Sequence, residues 1–283
     1  MQNLIKIALI QMKVGPDTSE NIKKAVNSLE HTAKNSVDCA VLPEMFSCPY
    51  SAENFPSYAE PAGGPVWQVL SKTARRLGIT IVGGSFPEKE DSGKIFNTSF
   101  VFDPSGKEIA RHRKIHLFDI NIAGGQHFRE SDTLSPGNSP TLFRIKERTF
   151  GLAICYDIRF PELFRLMTDR GALGIIIPGA FNMTTGPPHW ELLFRCRALD
   201  NQVFTLGAAP ARNSESSYTS YGNSIIASPW GEVLGRLDGD EGILIREIDL
   251  SKAEALRQEL PLLRNRRKDI YSVVFTEKGE QTC

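Results

Sequence analysis

Gly151-Leu152-Ala153-Ile154-Cys155-Tyr156-Asp157-Ile158-Arg159-Phe160-Pro161-Glu162 is the stretch on which the reading of this chain turns. Apolar residues lead into Cys155 and predict a strand from Thr149 to Cys155. Pro161 then marks the first turn of a helix, and Gly171 stands after its end. The cysteine therefore occupies a strand-to-helix bend. A nucleophile at such a bend is exposed at the sheet edge, where backbone N–H groups can face a developing oxyanion. The approaching helix N-terminus is expected to favour the thiolate. The plain alternative is an inert buried thiol, because free cysteine is among the most buried residue types. Position alone does not decide between them. Cys39, Cys196 and Cys283 lack such a setting, and Cys48 is a weaker rival because it follows Glu44 closely.

A thiol nucleophile needs a base. No histidine is an obvious partner, since His116 and His189 both have structural readings. Glu44 follows Pro43 at the end of the short apolar run Ala40-Val41-Leu42, and ligands of open α/β sheets bind outside such strand ends. The alternative for Glu44 is a surface charge beside a turn. Lys114 falls in a predicted strand, Glu108 to Ile115, that also holds Arg111, His112 and Arg113. An exposed cationic face is the plain reading. If Lys114 points inward, opposite to Arg113, it is a buried cation that requires a carboxylate or an oxyanion as partner.

Outward from these residues the chain alternates strands and helices. Strands are predicted at Leu4 to Met12, Ile79 to Gly83, Asn97 to Phe102 and Leu173 to Pro178, then at 203–208, 223–228, 232–237 and 242–248. Helices are predicted at Ser19 to Lys34, Pro65 to Leu77 (closed by Gly78), His189 to Asn201 and Ser251 to Glu259. The Leu117 to Ser139 stretch, dense in Gly, Asp, Asn and Ser, reads as a long functional loop. Strands outnumber helices, which argues for an α/β layered sandwich; periodicity leaves the number of sheets open. No low-complexity linker divides the chain, so one domain is expected over 1–283, with about 271–283 a C-terminal tail.

Leu42-Pro43-Glu44, Arg113-Lys114-Ile115-His116-Leu117 and the Cys155 stretch resemble, in order and spacing, the three signature blocks of the nitrilase superfamily of carbon-nitrogen hydrolases. Gly186-Pro187-Pro188-His189-Trp190 and Ser228-Pro229-Trp230-Gly231 match further recurring segments, so the resemblance spans nearly the whole chain. It implies a four-layer αββα sandwich, with Glu44 as general base and Cys155 as nucleophile. It also places Lys114 and the backbone N–H of Tyr156 at the oxyanion, and Glu130 beside the lysine. His116-Leu117-Phe118-Asp119-Ile120, Leu134-Ser135-Pro136-Gly137 and Pro178 to Gly186 resemble the ω-amidase branch in particular. That implies release of ammonia from an α-keto acid amide, such as α-ketoglutaramate or α-ketosuccinamate, through a cysteine thioester. Such a substrate carries a distal carboxylate, for which Tyr50, Arg129, Tyr156 and Thr185 are candidates by proximity to the blocks. Arg159 is read instead as the structural partner of a nearby carboxylate. Two departures, Asn223 in Gly222-Asn223-Ser224 where histidine is usual and Pro188 where alanine is common, bear on substrate choice rather than on the catalytic triad the resemblance implies, Glu44, Lys114 and Cys155. The resemblance also implies a homodimer paired through the His189 to Asn201 helix. The competing readings are an amidase for deaminated glutathione or an N-carbamoyl amino acid, and a non-catalytic binding protein of the same fold.

Composition narrows the partners. Lys+Arg and Asp+Glu are both 33, so a zero net charge gives no reason to expect nucleic acid or an anionic membrane. The Arg264, Arg266, Arg267, Lys268 cluster reads as a solvated tail or subunit contact. The apolar run near the N-terminus is too short for a signal or a membrane span. Five scattered cysteines without a C-x-x-C pair argue against a disulfide scaffold and a zinc site, and place the protein in a reducing compartment, the cytoplasm. The Asn97 and Asn182 sequons are then unused, Gly83-Gly84 is too weak for a phosphate loop, and neither metal nor organic cofactor is expected.

Overall fold

In the computed structural model, which describes residues 3–122 and 127–276, the first strand already dictates the layering. Along β1 (Leu4–Gln11), Ile5, Ile7 and Leu9 enter one apolar core while Ala8 and Ile10 enter another. A strand buried on both faces needs a covering layer on each side. β1 runs antiparallel to β15 (Gly242–Asp249) and parallel to β2 (Cys39–Val41). The sheet continues through β3 (Thr80–Val82) to β5 (Ile95–Phe102), which also pairs with β4 (Phe86–Lys89) and β6 (Glu108–Arg113). A second sheet has the order β14 (Val233–Arg236), β13 (Ile225–Ala227), β12 (Phe204–Ala208), β11 (Gly174–Pro178), β10 (Arg148–Leu152), β9 (Thr141–Ile145).

The inner faces of the two sheets meet: Val41, Val82 and Val101 pack with Phe143, Leu152 and Ile176. α1 (Thr18–Ala33) and α3 (Pro65–Leu77) cover the outside of the first sheet, setting Leu29, Leu70 and Ala74 against Ala40, Ile81 and Phe100. α4 (Pro161–Asp169) and α5 (Gly186–Asn201) cover the second, setting Phe164, Met167, Trp190 and Phe194 against Ile175 and Ile177. The layers are therefore αββα, and the open question of sheet number is answered by two. Two short helices, α2 (Phe55–Tyr58) and α6 (Ser251–Glu259), complete the described elements with the β7 (Asp119–Asn121)–β8 (His127–Arg129) ribbon. Among the described residues no helix is long and apolar enough to cross a membrane.

The structure departs from the expected elements in ways that matter for the site. The long loop is not structureless: it holds the β7–β8 ribbon and a 3₁₀ turn at Glu130–Asp132. Polar, glycine-rich composition hid the ribbon; residues 123–126 lie outside the described residues. β4 was not expected because Gly83-Gly84 and Pro87 interrupt the pattern. β3 and β4 nonetheless pair in succession along one edge of β5, with Gly83 N–H donating to Phe100 O at 2.8 Å between them. Gly84 is required there: it has φ +53, and a Cβ would stand 2.1 Å from Pro43 O. At Cys155 the chain makes a 3₁₀ turn, Cys155–Arg159, and α4 starts only at Pro161, so the thiol does not sit on the first turn of α4. Of the expected tail, residues 271–276 carry no helix or strand, and the rest, including Cys283, lies outside the described residues.

Candidate active site

Alternation along β6 resolves the cationic strand. Arg111 and Arg113 take the outer face, where each reaches Glu88 at 2.9 Å, and Arg113 also reaches Glu90 at 2.8 Å. His112 and Lys114 therefore point between the sheets, and both are 0% exposed. Lys114 stands one residue past the strand, its N–H still held by Asn97 O at 2.8 Å. The Lys114 ammonium donates to Glu44 Oε1 at 3.0 Å, to Glu130 Oε1 at 2.9 Å and to Tyr50 OH at 3.3 Å. The Tyr50 hydroxyl in turn donates to Glu130 Oε1 at 2.6 Å.

Glu44 sits on the turn after β2, above Gly84. Met45, the next residue, has φ +50 and gives its N–H to Ser85 Oγ at 3.0 Å, which holds the turn. Glu44 is 0% exposed. Its Oε1 also accepts from Asn97 Nδ2 at 2.9 Å, and its Oε2 accepts from Ala180 N–H at 2.7 Å, just beyond β11 of the other sheet. Glu130 Oε2 accepts from Phe118 N–H at 2.7 Å. Cys155 opens the 3₁₀ turn three residues past β10 with φ +47, a left-handed conformation that a non-glycine residue holds only when its surroundings over-determine it. Its buried thiol lies within electrostatic reach of Glu44, Lys114 and Glu130.

The electrostatics follow from burial. Burial pushes the Glu44 carboxyl up, against the opposing pull of Lys114, while the Glu130 charge raises it further. Burial alone would lower the Lys114 ammonium, but Glu130 and Glu44 hold it far above the usual lysine value. The Cys155 thiol is pushed well up, by burial first and then by Glu44, with Lys114 opposing. The thiolate bias expected from a helix N-terminus is thus reversed: burial and the Glu44 charge favour the protonated thiol, beside a carboxylate whose own proton affinity is raised. A thiol beside such a carboxylate meets what cysteine-nucleophile chemistry requires of its two groups.

Asp157 is a buried carboxylate that the sequence reading passed over. Burial would raise it, yet hydrogen bonds from His112 and His116 and from Ile154 N–H hold it well below the usual carboxylate range. Two further residues were missed. Asn97 is completely buried and donates to Glu44, and its sequon is inaccessible. Tyr218 stacks 4.5 Å from the Tyr50 ring and donates its hydroxyl to Ala180 O. Asn97 had one legible signal, its place opposite Lys114 across the β5–β6 pair; Tyr218 had none, because it arrives from a distant loop.

The other expected site residues divide. Tyr50 joins the cluster. Tyr156 is half-buried, with its ring edge-on to Phe118 at 5.2 Å. Thr185 is buried, but its hydroxyl is taken by Asn182 Oδ1 at 3.0 Å at the start of α5. The Arg129 side chain is 54% exposed and pairs with Asp132 at 3.3 Å, away from the cluster. Arg159 does not have the carboxylate partner expected of it. Among the described residues its guanidinium packs over Phe181 at 4.9 Å and Tyr156 at 5.6 Å, and Nη1 lies 3.4 Å from His189 Nδ1. Its buried Nε has no partner among the described residues. Cys48 is buried against Met45, its thiol pushed up to about 12 by burial. Among the described residues no group of three or more His, Cys, Asp or Glu is arranged to hold a metal ion.

The carbon-nitrogen hydrolase profile matches residues 6–258. The chain belongs to the carbon-nitrogen hydrolase family. The hydrolase is 47% identical over 268 residues to the omega-amidase NIT2 of Xenopus tropicalis, covering 95% of this chain and 97% of the relative. It is 46% identical to the omega-amidase NIT2 of Homo sapiens, with the same coverage of 95% and 97%. It superposes on the crystal structure of Saccharomyces cerevisiae Nit3, a member of branch 10 of the nitrilase superfamily, with a TM-score of 0.86 at 41% identity, over 94% of this chain and 98% of that one.

Proposed function

We propose that this hydrolase is an ω-amidase, releasing ammonia from the terminal carboxamide of an α-keto acid amide such as α-ketoglutaramate or α-ketosuccinamate. The observation that carries the reading is the buried Glu44–Lys114–Glu130 cluster set against a thiol held at positive φ. Glu44 takes the thiol proton as Cys155 attacks the amide carbon. The oxyanion is met by the Lys114 ammonium and by the Tyr156 N–H, which lies at the start of a helical turn where amides lack an acceptor within the turn. Glu44 returns its proton to the leaving nitrogen, ammonia departs and a thioester remains. Glu44 then draws a proton from water, which attacks the thioester, and the thiol and a carboxylic acid product are released. Glu130 keeps Lys114 charged and in place.

Arg159 supports the choice of an acidic substrate. A guanidinium flanked by aromatic rings, with no carboxylate opposite it among the described residues, suits the distal carboxylate of the substrate. The homology to omega-amidases supports the same choice. The protein is further proposed to act as a cytoplasmic homodimer. On α5, Leu192 and Leu199 lie seven residues apart on one face at 59% and 41% exposure, and covering them suits a second copy.

The test is ammonia release over a panel of α-keto acid amides, deaminated glutathione and N-carbamoyl amino acids, with the wild type and with Cys155→Ala. Turnover of the α-keto acid amides above the rest, lost in Cys155→Ala, is the expected result. Equal or greater turnover of the other amides refutes the substrate choice, and retained activity in Cys155→Ala refutes the nucleophile.

A further inference from the structure

We infer that Asp157 is a positioning residue, which sets the gap between the Cys155 nucleophile and the Lys114 ammonium by tying together the two chain segments that carry them. The inference rests on the assignment of Cys155 as nucleophile. The two segments belong to different sheets, so no strand pairing fixes their separation. On the nucleophile's side, Asp157 Oδ2 accepts the N–H of Ile154, the residue before Cys155, at 3.0 Å. Asp157 N–H also donates to Ile154 O at 3.0 Å, so the bend carrying Cys155 is closed from both ends.

On the lysine's side the carboxylate grips the chain twice. Oδ2 lies 3.0 Å from His112 Nε2, two residues before Lys114. Oδ1 accepts His116 N–H at 3.0 Å and lies 2.8 Å from His116 Nδ1, two residues after it. Both rings are themselves braced: His112 Nδ1 lies 3.0 Å from Thr141 Oγ1, and the His116 ring stacks on Phe160 with centroids 3.6 Å apart. One fully buried carboxylate thus meets four donor groups, none of them among the reacting atoms. It also holds the bend at the point where Cys155 adopts φ +47. Without that restraint a strained residue relaxes, and the sulfur moves with it.

Asp157→Asn keeps the side chain's shape but leaves only one accepting oxygen for two sets of donors. Misplacement of reacting groups by about 1 Å costs ~10²-fold in rate, and a drop of that order in kcat is the expected result. KM should stay within about threefold, because Asp157 makes none of the Arg159 side-chain contacts. The rate at which iodoacetamide alkylates Cys155 should fall as well, a readout independent of which amide is the substrate. The double variant Asp157→Asn/His112→Gln should lose no more than the worse single variant, since both act through one tie.

A lowered melting temperature with unchanged kcat and alkylation rate would show Asp157 to be merely structural and would overturn the inference. A raised KM at constant kcat, or multiplicative losses in the double variant, would overturn it equally. If Asp157→Asn does not fold, His116→Gln, which leaves the Ile154 and His112 contacts in place, is read by the same split. Slowed alkylation together with no turnover of α-keto acid amides by the wild type would defeat the substrate assignment and leave this inference standing.

Discussion

Glu130→Gln should cost this protein both stability and turnover, by amounts set by what its two oxygens hold. Oε1 takes the Lys114 ammonium at 2.9 Å and the Tyr50 hydroxyl at 2.6 Å, and Oε2 takes Phe118 N–H at 2.7 Å. Two unit charges at that first distance attract by about 6 kcal/mol at the effective dielectric that suits protein sites. Desolvation of the pair offsets much of this, and removing one partner of a buried pair costs about 3–5 kcal/mol in measured cases. Glu44 remains as a second counter-ion at 3.0 Å, so the loss should lie near the lower end, about 3 kcal/mol. The new amide must also turn its Nε2 toward either Lys114 or Phe118 N–H, so one set of donors loses its acceptor. Lys114 is then drawn toward Glu44, away from the oxyanion, and kcat should fall ~10²-fold, as for loss of an oxyanion donor. Urea unfolding gives the first number and ammonia release the second. A stability loss below about 1 kcal/mol together with kcat within a factor of about two would refute the idea that the Glu130 charge holds Lys114.

Arg159→Gln should lower kcat/KM for α-keto acid amides by about 10- to 100-fold, the worth of a charge-assisted contact, and leave uncharged amides of similar length nearly unaffected. Equal losses on both would remove Arg159 from substrate recognition. Gly84→Ala should be far worse than Gly63→Ala. Both glycines have positive φ, but a Cβ at position 84 meets Pro43 O at 2.1 Å whereas one at 63 meets nothing within 4 Å, so only the first should displace Glu44 and cut kcat. Comparable kcat for the two variants would contradict this. Alkaline pH tests the buried thiol of Cys48, raised from 9.0 to about 12. A raised native value means that its contribution is complete below pH 9.0 and lost as pH rises toward about 12, roughly 4 kcal/mol in all for that shift. Cys48→Ala should therefore flatten the decline of unfolding free energy over that window, and an unchanged slope would count against it.

The residues proposed to do the chemistry were legible because each stands just past a strand inside a distinctive run: Pro43-Glu44 after β2, Lys114 after β6, Cys155 after β10. What the pattern could not supply was direction. Alternation on β6 separates His112 and Lys114 from Arg111 and Arg113 but does not say which pair faces inward. That is decided by Glu88, on a strand masked by Gly83-Gly84 and Pro87. The number of sheets was equally hidden, since strands buried on both faces look alike whichever sheet they join. Arg159 was misread for a related reason. An arginine in a signature block ordinarily finds a carboxylate, and only the fold shows aromatic rings and His189 around it instead.

The layout also explains why the site lies between the sheets and not on either one. Three ionisable side chains at 0% exposure form a costly arrangement, which well-packed apolar residues of similar volume would often better. It persists only if every oxygen and proton finds a partner. Neither sheet alone has enough. Glu44 takes Asn97 Nδ2 from its own sheet and Ala180 N–H from the other, and Glu130 takes Phe118 N–H from the segment before the ribbon. The satisfied cluster is thus itself a cross-link between layers. A shift of one sheet against the other would strand a buried charge, so the groups proposed to carry the chemistry also fix the register between the sheets.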